Sequence, residues 1–150
     1  MSRFTIAIVV VLSALGCEKD EPCLKTTLPA LQQYPFLSPA RYLAVLQNVD
    51  QSADQINLII RNQRDYEKYL LIRSDTTRPV IDFSKRMLLA GHVREGTSAS
   101  VDSMSIASTC EGYSLNVFVN QGNLGVVQFV PYYFLCDITD RQIKVKVIDN

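Results

Sequence analysis

Apolar and polar residues alternate with a period of two along much of this 150-residue chain, and one short stretch switches to helical spacing. Gln55–Arg61 (Gln-Ile-Asn-Leu-Ile-Ile-Arg) predicts a strand with Ile56, Leu58 and Ile60 on one face. Asn62 stands three residues before Asp65, the spacing of a capping box with Asp in place of the usual Glu. Gln63–Leu71 then has helical spacing, with Tyr66, Leu70 and Tyr69 turned inward, and Ser74–Pro79 breaks it. Val80–Val93 opens with the polar Asp82-Phe83-Ser84-Lys85 and runs on as apolar Met87–Gly91, the pattern of a buried strand. Glu95–Ser100 is a polar turn.

The last third is β-rich. Ser103–Thr109 predicts a strand, and Tyr113–Val119 alternates with Tyr113, Leu115, Val117 and Val119 on one face. Asn120-Gln121-Gly122-Asn123 has turn chemistry, and Val126–Phe134 returns as a strand. Gln142–Ile148 closes the chain as an amphipathic strand with its lysines outward. Arg41–Asn48 is too short for its period to separate strand from helix, and Val49–Asp54 is a polar turn. The runs predict one α+β domain over residues 41–150, a mostly antiparallel sheet with one packed helix; a β-sandwich is the alternative.

The first residues follow another rule. Arg3 carries a charge, Phe4–Leu15 is an apolar run, and small Gly16 leads into Cys17-Glu18-Lys19-Asp20-Glu21. That order predicts a signal peptide over residues 1–16, because 12 apolar residues are well short of the roughly 20 that span a bilayer. Cysteine after a small residue resembles a bacterial lipoprotein processing site, which implies cleavage before Cys17 and acylation of its thiol. The Lys-Asp-Glu cluster behind it resembles the export signal of Bacteroidota surface lipoproteins. The resemblance implies an outer-membrane-anchored protein, on the periplasmic side or at the cell surface. Residues 17–40, with four prolines, read as a lipidated tether whose last part lies as irregular chain on the domain.

Without residues 1–16 the chain keeps 134 residues, with 14 basic against 15 acidic side chains. That size gives one compact domain, and that balance gives no concentrated basic face for nucleic acid. Cys23, Cys110 and Cys136 remain besides the lipidation site, in an oxidising setting where pairing is expected. Three is odd, so one thiol is left over. A hairpin turning at residues 121–122 sets Cys110 nearly opposite Tyr133–Phe134, and one bulge brings Cys136 across from it. Cys110–Cys136 is therefore the favoured disulfide; two buried thiols are the alternative. Cys23 is a free thiol or pairs with another molecule.

The succession of a strand, the Asn-Gln-Arg-Asp-Tyr-Glu-Lys-Tyr helix, Ile81-Asp82-Phe83-Ser84-Lys85 and an apolar strand resembles the carboxy-terminal domain named for the PrcB subunit of a spirochaete protease complex. The resemblance covers roughly residues 55–148, with Glu111-Gly112-Tyr113 a late partial echo of the family's next motif. It implies an accessory, non-catalytic domain of small lipoproteins.

Candidate chemistry is sparse. His92 is the sole histidine, no His-x-x-x-His or Cys-x-x-Cys spacing accompanies it, and no metal or cofactor is expected. It reads as a surface or half-buried residue. Ser84 lacks the context of a nucleophile. Asp82 reads as a turn-pinning carboxylate, and Asp137, Asp140 and Asp149 lack the ligand ladder of a calcium loop. Tyr132, Tyr133 and Phe134 read as core packing by default, and as candidate partner contacts if their rings face outward. The expected function is a non-enzymatic, lipid-anchored envelope protein with a protein partner, serving as an interaction or accessory module. A protease inhibitor acting through Glu95–Ser100 or Asn120–Asn123 is the alternative. An enzyme requires His92, Ser84 or the acidic residues to meet in one cleft.

Overall fold

The buried run Met87–Ala90 has apolar side chains pointing both ways, and a strand of that kind needs cover on both faces. In the computed structural model it receives it. The structure describes residues 28–36, 43–73 and 78–149; the expected signal peptide, Cys17 and Cys23 lie outside these. The elements in chain order are β1 (Gln33–Tyr34), β2 (Leu43–Leu46), β3 (Gln55–Ile60), α1 (Gln63–Tyr69), β4 (Leu70–Arg73), β5 (Arg86–Glu95), β6 (Ala99–Ser108), β7 (Gly112–Gln121), β8 (Gln128–Asp137) and β9 (Gln142–Asp149). They form a four-stranded sheet β1-β8-β5-β3, a three-stranded sheet β6-β7-β9 and a small pair β2-β4. Every pairing is antiparallel except β7 with β9. The fold is α+β, mostly antiparallel, with one short helix among the described residues.

Two apolar cores follow. Met87 and Leu89 of β5 join Tyr132, Phe134 and Cys136 of β8 against the inward face of β7. Leu88 and Ala90 join Leu135 and Ile60 on the opposite face, under Tyr66 and Leu70. In β6 the inward residues step from Val101 to Met104, three positions instead of two, because a bulge lies between Val101 and Ser103.

Asn62 caps α1 as expected: its Oδ1 accepts from the Asp65 amide at 2.8 Å, and its Nδ2 donates to the Asp65 carboxylate at 2.8 Å. The helix stops at Tyr69, earlier than the expected Leu71, because Leu70–Arg73 pairs with Leu43–Leu46 as strand. That pairing also settles the first short run as a strand.

The larger correction concerns β7 and β8, which are not a hairpin. β7 pairs with β6 and β9, while β8 pairs with β5 and β1 in the other sheet. Their apolar faces meet across the first core instead of side by side. The fold also begins before residue 41. Leu28 and Leu31 pack on the first core, Tyr34 and Phe36 on the second, and Gln33 pairs with Cys136.

Candidate interaction surface

The expected catalytic candidates are dispersed. Ser84 lies in the turn before β5 and His92 toward the far end of that strand; the six strand steps from Arg86 to His92 alone span roughly 20 Å. Ser84 Oγ donates to Asp82 Oδ1 at 2.5 Å, and the Ser84 amide donates to the same oxygen at 3.1 Å. These bonds, hydroxyl first, hold the Asp82 carboxyl below its ordinary range, so Asp82 pins the turn into β5. His92 is buried, not superficial; its Nε2 lies 3.2 Å from the Ala53 carbonyl and its ring 4.8 Å from that of Phe129. Asp137 accepts from the Tyr34 hydroxyl at 2.7 Å and the Gln32 amide at 3.0 Å, fastening the lead-in. Among the described residues no group of three or more His, Cys, Asp or Glu could hold a metal ion, and no helix is long and apolar enough to cross a membrane.

The aromatic trio faces inward. Tyr132 and Phe134 are buried in the first core, which removes them as partner contacts. Tyr133 packs 6.3 Å from Phe36, and its hydroxyl donates to the Ala44 carbonyl at 2.9 Å, tying β8 to β2. Burial pushes the Tyr133 phenol up to about 12.

The expected Cys110–Cys136 bridge does not form. Cys136 is a buried free thiol on β8, in register with Met87 and Gln33. Cys110 lies in the turn between β6 and β7, in the other sheet, and is disulfide-bonded elsewhere. The pairing was argued from a β7–β8 hairpin, and it fails with that hairpin.

The two expected loops, Glu95–Ser100 and Asn120–Asn123, prove to be one bonded unit. The Gly122 amide donates to the Ser98 carbonyl at 2.5 Å, and the Ser98 amide donates to the Leu124 carbonyl at 2.7 Å. The Leu124 amide reaches Ser98 Oγ at 3.3 Å. A Cβ on Gly122 would collide with Ser98, so this close approach requires glycine. The unit presents a run of exposed apolar side chains: Leu124 is 67% exposed, Val126 50%, Val127 59% and Phe129 40%. Phe129 also borders a cavity of about 200 Å³ shared with Val45, Leu46, His92 and Pro131. The Leu-Gly-Val-Val stretch was visible in the sequence, but assigning Val126 and Val127 to a strand hid their exposure; β8 starts at Gln128.

No family model matches this chain, and no curated protein or solved structure matches it.

Proposed function

We propose that this chain is a non-enzymatic, lipid-anchored cell-envelope protein, fastened to the outer membrane through Cys17, whose domain is an interaction or accessory module for a surface protease or protein complex. The resemblance of residues 55–148 to the PrcB carboxy-terminal domain supports the accessory role. The lipoprotein-like order of residues 3–21 supports the anchor. The observation that carries the interaction role is the run Leu124–Phe129. Four apolar side chains at least 40% exposed within six residues form a concentrated patch at one end of the molecule, held by the Ser98 bonds.

Cross-linking in the native envelope tests the reading, comparing the wild type with Leu124→Asp/Val127→Asp. The wild type should give a discrete adduct that the double variant loses at least about tenfold, equivalent to about 1.4 kcal/mol. Equal adducts from both chains, with the variant's circular dichroism unchanged, would refute it. The inhibitor alternative acts through Glu95–Ser100 or Asn120–Asn123, the two loops joined in this same unit by the Ser98 bonds; inhibition of a protease panel by the wild type and not by the variant would favour it.

A further inference from the structure

We infer that the outer edge of β9 takes up an extended peptide whose side chains alternate between apolar and acidic, and that this peptide adds a strand to the three-stranded sheet. Among the described residues β9 pairs only with β7, and β3 only with β5, so each ends its sheet. Along such an edge every second N–H and C=O lacks a ladder partner. No hydrogen bond from another described segment reaches the backbone of residues 143–148 on that side.

The two open edges border one cavity of about 500 Å³, lined by Ile59 of β3, Leu89 of β5 and residues 143–146 of β9. That volume lies within the roughly 300–1,000 Å³ common for ligand sites. Leu89 and Ile143 reach it from the first core, whereas Ile59 is 41% exposed. Arg61, directly after β3, donates from Nη2 to the Thr139 carbonyl at 2.8 Å. That bond ties one end of β3 to the loop entering β9 and holds the two edges in place.

The alternation of β9 sets the chemistry of the occupant. Ile143, Val145 and Val147 turn to the first core, and Lys144 and Lys146 to solvent. A strand laid alongside repeats that division, because paired strands share their faces. Its inward residues meet Val145 and Ile59 and are apolar; its outward residues stand beside the lysines and are acidic. Lys146 is uncommitted: its register partner on β7 is the neutral Asn116, and it makes no ion pair with a described residue. Lys144 is held by Glu111 at 2.5 Å, so Lys146 carries the selection. A second copy of the chain does not fit. β9 against β9 sets lysine beside lysine, which is unfavourable, and Gln55–Ile60 of β3 contains no acidic residue.

Hydrogen exchange, read residue by residue on the full chain extracted from membranes, tests the site. The probe is a blocked hexapeptide alternating Val and Glu. In the chain alone, alternate amides of residues 143–148 should exchange fast. Saturating probe should slow them at least about tenfold, and a peptide of the same composition with Val and Glu in separate blocks should not. Lys146→Glu should reverse the preference, so that a Val–Lys hexapeptide binds about tenfold better than the Val–Glu one. Slow exchange along the edge before any probe is added would show it already covered, by the chain itself or by a second copy, and would overturn the inference. Equal protection by the alternating and block peptides, or protection by neither, would do the same.

Discussion

The ring of Tyr132 lies over Gly91, its register partner on β5, and its hydroxyl reaches past the glycine to the Asn57 side chain and the Ile56 carbonyl on β3. One side chain thereby couples three strands of the central sheet, and it can do so only because position 91 has no Cβ. A Cβ there would collide with the Ile56 carbonyl and the phenol ring. Gly91→Ala should cost about 2–3 kcal/mol in denaturant unfolding. Tyr132→Phe keeps the ring and loses the hydroxyl's bonds, costing about 1 kcal/mol. An unchanged midpoint for Gly91→Ala would contradict the packing.

Cys136 should be chemically inert. Burial, and secondarily the charge of Asp137, push its thiol from 9.0 up to about 12. In buffer at pH 8 its thiolate population falls on the order of a thousandfold, and the core denies reagent access as well. Iodoacetamide should leave Cys136 unmodified in the native protein and label it after denaturation. Cys136→Ser, which places a hydroxyl in an apolar core, should cost about 1–3 kcal/mol.

Glu95 makes stability depend on pH. Burial first, and the nearby charge of Asp149 second, raise its carboxyl above the ordinary 4.5, against the lowering effect of the Gln121 amide. The folded state therefore holds this proton to higher pH than the unfolded chain does. The group's contribution is full below about pH 4 and is lost as pH rises through the folded value. Glu95→Gln should match the wild type in acid and exceed it at neutral pH; urea melts at pH 4 and pH 7 measure the difference. A variant advantage in acid that vanishes at neutral pH would reverse the sign and refute the assignment.

Asp137 fastens the lead-in through the Tyr34 hydroxyl and the Gln32 amide, and the Arg86 guanidinium lies 4.0 Å from the centre of the Tyr34 ring. Asp137→Ala should speed hydrogen exchange at Gln32 and Tyr34 at least about tenfold while β5 and β7 keep their protection. Equal exchange in both chains would show that the apolar contacts of Leu28, Leu31 and Phe36 suffice to hold this segment.

Much of the fold was legible because alternation reports which face of a strand is buried. Tyr113, Leu115, Val117 and Val119 do face the core, Lys144 and Lys146 do face solvent, and Asn62 caps the helix. Alternation does not report which strand lies alongside. The turn residues at 120–123 suited a hairpin, but they carry the chain from one sheet to the other, and the cysteine pairing fell with that choice. Leu70 is buried whether it ends a helix or starts a strand, so its face could not place the boundary. The full burial of His92, beyond the surface or half-buried position its sequence suggests, was hidden because the Ala53 carbonyl and Phe129 that accommodate it come from distant segments.

Intact-mass analysis of the chain extracted from membranes tests the proposed anchor most directly. The mass should equal residues 17–150 plus a diacylglyceryl group, with or without an amide-linked acyl chain, and mild alkaline hydrolysis should remove only the two ester-linked acyl chains, leaving the glyceryl thioether on Cys17. A chain that still carries residues 1–16, or a mature chain without added lipid, would contradict it.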